Sequence, residues 1–294
     1  MQVMAKAFIN EMEIGGQFTN LESYNQNMTK GLQDKLFFLT KLPINDGDEW
    51  LIVDFGCADG TLIGALASIF KGSGIQVKLV GYDISETMVN LAKKKYSRLS
   101  EVNIGGKNLI VNFTSNWKQV NQYIKYSKGK KAVVLSSVIH EVYSYAGSQN
   151  DIDEFWDRIC NSGFDYICVR DMMASKSIER KTDENLYSTF LGQVHENKPE
   201  LIRYINDFQY QWGSLRENKN FVHYLLKYRW ITNWTREVRE NYFPIHVEEF
   251  LIHFNGYKTV YLEKFRLPFL EDCWKQDFNI SIKDNTHIKA IFAS

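Results

Sequence analysis

The chain of 294 residues contains no run of about 18 apolar residues, the length a membrane-spanning helix needs. Its longest clean apolar stretch, Ala132 to Ile139, is strand-sized and includes Ser136 and Ser137. Cysteine is scarce. Cys57, Cys160, Cys168 and Cys273 form no CxxC pair, so their spacing suits neither a metal knuckle nor a disulfide framework. Reduced thiols, and with them a cytoplasmic setting, are the expectation. With 4 prolines and no low-complexity tract, no Pro-rich linker divides the chain. The opening MQVMAKAFINEMEIGG lacks the basic start and apolar centre of a secretory signal. Charge of one sign is not in excess either: 35 Lys+Arg balance 35 Asp+Glu. That argues against a globally basic nucleic-acid binder and leaves only a local basic patch open.

What is present is an alternation of short apolar runs with helical patterns. Trp50–Phe55 reads as a strand, followed by a Gly-rich turn and by Leu62, Ala65, Leu66 and Ile69 at helical spacing. Val77–Tyr82 is a second strand, ending at Asp83. Ser85 then suits an N-cap, with Glu86 at the positive end of the helix. Leu109–Phe113, Ala132–Val138 and Phe164–Val169 supply three more strands, with helical patterns at Val120–Ile124 and Ile152–Ile159 between them. Five β-α steps in a row predict a parallel sheet covered on both faces. The rhythm breaks after Asp171. Met172–Ile245 reads as helical and carries 13 aromatics, and His246–Phe254 as one more short helix. Tyr257–Phe265 and Thr286–Phe292 read as late strands joined by a tight bend near Lys283, Asp284 and Asn285, hence as a hairpin with one antiparallel strand. Residues 1–48 read as a helical extension ahead of the sheet.

The chemistry-bearing stretch is Val53-Asp54-Phe55-Gly56-Cys57-Ala58-Asp59-Gly60-Thr61, which joins the first strand to the first helix. In open α/β sheets, ligands bind outside the carboxyl ends of the strands. Gly56 and Gly60 permit a tight turn, and the helix that follows directs free N–H groups toward a ligand. A dinucleotide site needs G-x-G-x-x-G. From Gly56 the register reads Gly56, Ala58, Thr61, so the second and third glycines are missing. Asp54 and Asp59 would also repel a pyrophosphate. These carboxylates suit a ligand carrying an ammonium or sulfonium, which sets back a nicotinamide-dependent oxidoreductase.

With these residues the segment from about Trp50 to Arg170 resembles the class I S-adenosylmethionine-dependent methyltransferases. VDFGCADGTL matches their first motif, an acid followed by G-x-G-x-G, with Ala58 at the middle glycine. Asp83, followed by Ile84, matches the acid that ends the second strand. The resemblance implies that Asp83 accepts from the ribose hydroxyls and that Gly56 and Gly60 shape the cofactor cleft. It implies that Asp54 favours the cationic methionine end, with Ala58, Asp59, Ile84 and Ser136 in the same cleft. Asp59 equally fits a helix cap. After the third strand the family often has an acid on the adenine amino group; here stand Asn116 and Trp117. Asn116 is able to accept through its side-chain oxygen, and Trp117 to pack on the adenine face. A helix N-cap and a core tryptophan are the other readings of that pair. The fourth strand ends in Ser136-Ser137-Val138-Ile139-His140-Glu141. In the family this end faces the transferred methyl, which makes His140, with Glu141 beside it, the candidate base. A satisfied polar residue at the sheet's end is the alternative. Too few ligands surround the pair for a metal site.

The fold expected is therefore a Rossmann-like, doubly wound, mostly parallel seven-stranded sheet with one antiparallel strand. The expected parts are a helical extension (1–48), a cofactor-binding core (49–171), a helical aromatic-rich insertion forming a lid (172–245), and a C-terminal helix and hairpin (246–294). The activity the resemblance implies is methyl transfer from S-adenosylmethionine to an oxygen or nitrogen of a small polar acceptor. The insertion keeps RNA in play as acceptor, because Lys227, Arg229 and Arg236 stand among Tyr228, Trp230 and Trp234. A non-catalytic, methyltransferase-like binding module is the remaining reading, favoured by Ala58 and the non-acidic Asn116. Neither a membrane nor a metal is expected as a partner. The residues leave the acceptor's identity and the oligomeric state open.

Overall fold

A computed structural model describes residues 31–100 and 109–294, so most of the expected N-terminal extension lies outside the described residues. The strands are β1 (Glu49–Phe55), β2 (Gln76–Tyr82), β3 (Leu109–Thr114), β4 (Lys130–Ser136), β5 (Tyr166–Met172), β6 (Lys258–Phe265) and β7 (His287–Ala293). They form a seven-stranded sheet in the order β3-β2-β1-β4-β5-β7-β6. β1 to β5 pair in parallel, and β7 runs antiparallel between β5 and β6. The chain thus starts in the middle of the sheet, winds to one side and then to the other. The strand order reverses at β1/β4, where open α/β sheets leave a ligand crevice. This is the Rossmann-like fold of the class I methyltransferases.

Side-chain parity sorts the strands' residues onto two faces. Leu51, Val53 and Phe55 of β1 join Val133 and Leu135 of β4 in one core. Above that core lie α3 (Trp117–Tyr126), α4 (Ile139–Tyr145) and α5 (Gln149–Asn161). Trp50 and Ile52 join Ala132 and Val134 on the opposite face, under α1 (Thr61–Phe70) and α2 (Glu86–Lys95). There the helical turns Leu32–Lys35 and Phe37–Thr40 also dock, through Phe38 and Leu42. β1, β2 and β4 are buried almost end to end, which is why they read as continuous apolar runs.

A further apolar cluster lies beyond β5, built from α6 (Glu184–Asn197), α7 (Leu201–Trp212), α8 (Asn218–Lys227) and α9 (Pro268–Phe278). The last of these corrects the expected hairpin. β6 and β7 do pair antiparallel, but α9 is spliced between them. Pro268 opens it, Asn279 closes it in a left-handed conformation, and Trp274 and Phe278 bind it to the insertion. Trp274 is fully buried and donates its indole N–H to the Leu225 carbonyl at 2.9 Å. Trp274→Ala removes both packing and hydrogen bond, and we expect a loss of about 3–5 kcal/mol in urea unfolding.

Candidate active site

The elbow after β1 is drawn tightly against β2. Gly56 N and Cys57 N both donate to the Tyr82 carbonyl, at 2.8 and 2.9 Å, and Gly60 N closes a turn onto the Cys57 carbonyl. To pass through, the chain adopts left-handed backbone at Gly56 (φ 76°), Ala58 (φ 46°) and Gly60 (φ 77°). At Gly56 a side chain is excluded for a second reason: its Cβ would fall 2.6 Å from a Val138 methyl. Ala58 pays a conformational cost of roughly 1 kcal/mol that glycine would not. Its N–H compensates by donating to Asp83 Oδ2 at 2.8 Å, while Ser85 N donates to Oδ1 at 2.9 Å. The Asp83 carboxylate therefore faces the elbow and keeps further lone pairs for a ligand. Ile84 beside it is half-buried.

Asp59 uses both oxygens within the protein. Oδ1 accepts from Thr61 N and Oγ1, and Oδ2 from Lys95 Nζ at 2.6 Å. Asn116 is exposed and caps α3, accepting from Lys118 N at 2.9 Å. Trp117 packs edge-on against Phe55 and Tyr82, with Arg158 over its ring. Asp54 lies buried near the end of β1, with the parity of Ile52 and opposite Val134 of the neighbouring β4, which Ser136 ends two residues on.

The strand-end electrostatics follow from burial. Desolvation pushes the Asp54 carboxyl up to about 7; Asp83 and Asp59 add to this, and Lys35 opposes it. Asp83 is likewise raised to about 6 by burial, against the pull of its Ser85 and Ala58 hydrogen bonds. Buried acids held this high are short of positive charge, which a sulfonium or ammonium would supply. Ser136 Oγ is buried and has no hydrogen-bond partner among the described residues. An orphaned hydroxyl at the end of β4 and two such carboxylates at the ends of β1 and β2 fit a polar, cationic ligand at the strand ends, and the site's residues therefore suit S-adenosylmethionine.

One turn further on, Ser137 adopts φ 58° and bends the chain out of β4 into α4, ending the strand earlier than its apolar run suggests. Beneath this bend lies Asp171, the last acid of β5 and fully buried. Its Oδ2 accepts from Val138 N and Ile139 N at 2.9 and 2.7 Å. Its Oδ1 accepts from Met172 N at 2.8 Å and meets His140 Nδ1 at 2.7 Å. A carboxylate so supplied with donors makes Nδ1 the protonated nitrogen of a neutral His140 and leaves Nε2 as the basic atom. Burial by itself would lower the His140 pKa; Asp171 and Glu240 outweigh it and raise the value. Glu240 Oε2 stands 3.9 Å from Nε2, and Tyr242 packs edge-on to the ring.

Around His140 the insertion contributes charge from inside. Arg236 Nη2 bridges Glu141 and Glu240 at 2.7 and 2.8 Å, and Tyr145 donates to Glu240. Lys227 donates to the Glu237 carbonyl and sits over the Tyr242 ring. Burial pushes Lys227 down to about 8 and Glu237 up to about 6. Lys227 is 0% and Arg236 2% exposed. This corrects the basic-aromatic reading of the insertion: only Arg229 of the three cations reaches solvent, and it is paired with Asp277 at 2.7 Å. Asp171, Lys35, Glu240 and the buried role of Arg236 were not read from the sequence. Asp171 carried a signal, since it ends its strand as Asp54 and Asp83 end theirs.

No protein-family model matches the chain, and no curated protein matches it. Among solved structures it is similar to a SAM-dependent methyltransferase from Methanosarcina mazei (10% identity, 88% of this chain and 96% of that one, TM-score 0.42). It is also similar to the plantazolicin methyltransferase BamL, solved with a triazolic desmethylPZN analog and SAH (12%, 100% and 98%, 0.42). A third similar structure is SCL7 of Oryza sativa (10%, 98% and 87%, 0.48). Likenesses this distant say nothing of what the chain binds; its own strand order is what defines the fold.

Two outcomes follow from the geometry. Ala58→Gly relieves a left-handed alanine, and we expect a gain of about 1 kcal/mol in denaturant unfolding. Asp54 binds more protons folded than unfolded between its ordinary pKa and about 7, so its contribution to stability falls as pH rises through that window. The melting temperature of Asp54→Asn should therefore exceed the wild type's, by a margin that grows from pH 4 to pH 7 and then levels off.

Proposed function

We propose that the chain is an S-adenosylmethionine-dependent methyltransferase acting on an oxygen or nitrogen of a small polar molecule. The observation that carries this reading is a juxtaposition. The elbow with Asp83 and Asp54 opens on the same strand ends as the His140–Asp171 pair. When bound, the cofactor would supply a methyl group made electrophilic by its sulfonium. Asp83 would hold the ribose, Asp54 and Ser136 the amino-acid side, and Ala58, Gly56 and Gly60 the backbone cradle. Asp59, Ile84, Asn116 and Trp117 surround that cleft as proposed contacts, with Asp59, Asn116 and Trp117 also serving the protein's own packing.

On the acceptor side, His140 Nε2 takes the proton from the acceptor's O–H or N–H. Asp171 fixes the tautomer and holds the imidazole in place, and Glu240 steadies the imidazolium that forms. Glu141, tied to Arg236, lines the same side. The insertion over residues 172–245 closes above the site and excludes water. Burial of Lys227 and Arg236 supports a small acceptor over RNA, because phosphate contacts need exposed cations.

Calorimetry with S-adenosylmethionine tests the cofactor half. We expect binding that tightens as pH rises through 6–7, as Asp83 and Asp54 ionise, and that weakens about tenfold or more in Asp83→Asn. Absence of binding at pH 8 would remove the proposal. Turnover on a panel of small hydroxyl and amine acceptors tests the base. His140→Ala should lower kcat by about 10²–10⁴-fold. Asp171→Asn should lower the rate and move the ascending limb of the pH profile to lower pH, since Asp171 raises the His140 pKa. Cofactor binding without turnover on any acceptor would favour a non-catalytic module.

A further inference from the structure

His140 faces a second carboxylate across a defined gap. Its Nε2 and Glu240 Oε2 stand 3.9 Å apart, too far for a hydrogen bond and close enough for one atom to touch both. Each group has its other end committed. Nδ1 meets Asp171 Oδ1 at 2.7 Å, which leaves Nε2 of the neutral ring as an acceptor. Glu240 Oε1 accepts from Arg236 Nη2 at 2.8 Å and from Tyr145 Oη at 3.1 Å, which leaves Oε2 without a hydrogen bond among the described residues. Neither facing atom is fully enclosed, the two side chains keeping 5% and 4% exposure. The spacing is built into the backbone. Asn241 N donates to Ser144 Oγ at 2.8 Å, and Ser144 Oγ donates to the His140 carbonyl at 2.6 Å. The residue after Glu240 is thus tied through one hydroxyl to His140 itself. Tyr242, edge-on at 5.2 Å, closes the flank of the ring.

Two acceptors converging on one point select an atom with two hydrogens to give. We propose that the methyl acceptor is a primary amine whose nitrogen sits between His140 Nε2 and Glu240 Oε2 and donates one N–H to each; the proposal rests on the methyltransferase reading above. A nitrogen at ordinary hydrogen-bond distance from both subtends roughly 85–90° between them, about 20° short of tetrahedral, a bend that two hydrogen bonds share without serious loss. With the carbon and both hydrogens placed, the lone pair takes the remaining tetrahedral direction, turned away from both acceptors and free to attack. An acceptor arriving as an ammonium gives its third proton to water first. The N–C bond then forms as the donor's C–S bond breaks. The sulfur keeps the electron pair and becomes a thioether, and one N–H proton passes to Nε2. A secondary amine and an imidazolium remain, and the imidazolium returns its proton to solvent. A hydroxyl has a single hydrogen, so it leaves one of the two buried acceptors facing an oxygen lone pair. The neutral secondary amine has a single N–H as well, so the same geometry stops at one methyl. Glu240 is accordingly a specificity residue.

The test uses matched probes that share a skeleton: a primary amine, its N-methyl derivative and the corresponding alcohol, on benzyl, phenethyl and butyl frames. With the full chain and S-adenosylmethionine, we expect kcat/KM for the primary amine to exceed that for the alcohol by about tenfold or more, the value of one lost contact to a buried charged acceptor. The product should carry one methyl, and the N-methyl probe should react about tenfold more slowly. Glu240→Gln is the decisive variant. Its amide oxygen takes the place of Oε1 beside Arg236 and Tyr145, which puts the NH2 group where Oε2 stood. The gap then offers one acceptor and one donor, the complement of a hydroxyl. The ratio of amine to alcohol turnover should fall about tenfold or more, even where both rates drop. A merely structural loss lowers both alike, so an unchanged ratio overturns the proposal. A wild type that methylates alcohols as readily as amines, or adds two methyls as readily as one, overturns it while leaving the methyltransferase reading intact. Failure to bind S-adenosylmethionine, or binding without turnover of any probe, removes that reading and the proposal together. Should Glu240→Gln fail to fold, the wild-type ratio and the methyl count still decide.

Discussion

A single carboxylate without solvent organises the His140 side of the strand ends. Asp171 accepts three backbone N–H groups, from Val138, Ile139 and Met172, besides the His140 ring. Val138 N and Ile139 N are the orphan donors at the start of α4, so the same contact caps that helix and ties it to β5. The left-handed turn at Ser137 that precedes it is held by Arg170, whose carbonyl accepts from Ser137 N at 2.8 Å and whose guanidinium donates to Ser137 Oγ. One set of hydrogen bonds caps the helix and orients the imidazole, which is why the ring's direction is as well determined as the backbone beneath it.

The opposite side of the rim works by deficit. Asp54 and Asp83 are packed where water cannot solvate them; Asp83 accepts from Ala58 N and Ser85 N, and the charges of Lys35 at Asp54 and Arg236 at Asp83 only partly offset the burial. A buried carboxylate with incomplete compensation destabilises the free protein and favours whatever brings positive charge. The left-handed alanine at position 58 belongs to the same economy of the elbow: backbone strain persists because Asp83 holds its N–H.

Between these two ends, the insertion contributes polar side chains buried almost completely. Arg236 links Glu141 of the core to Glu240 of the insertion, and Ser144 accepts from Asn241 N at 2.8 Å. Breaking one member of such a network strands the others, so the insertion closes over α4 as a unit rather than residue by residue. Much of the insertion's aromatic content lies in its own core, where Phe190, Phe208, Phe221 and Tyr224 are fully buried, while Tyr210 stays exposed.

Local order determined much of this in advance. Apolar runs of strand length, glycines at 56 and 60, and acids closing two of those runs are properties of short stretches. Period and turn chemistry specify them without reference to the rest of the chain. The parallel core, the elbow and the placement of Asp54 and Asp83 were legible for that reason. Tertiary structure alone decided what depends on groups far apart in the chain. Asp171 lies 31 residues from His140, Glu240 lies 95 from Tyr145, and Lys35 reaches the rim from ahead of the first strand. Helix α9 between β6 and β7 escaped notice because its burial comes from the insertion's core, not from a strong face of its own. Lys227 and Arg236 looked like surface cations for the same reason. Whether a charge is buried is settled by partners that fold against it, and no window of neighbouring residues contains them.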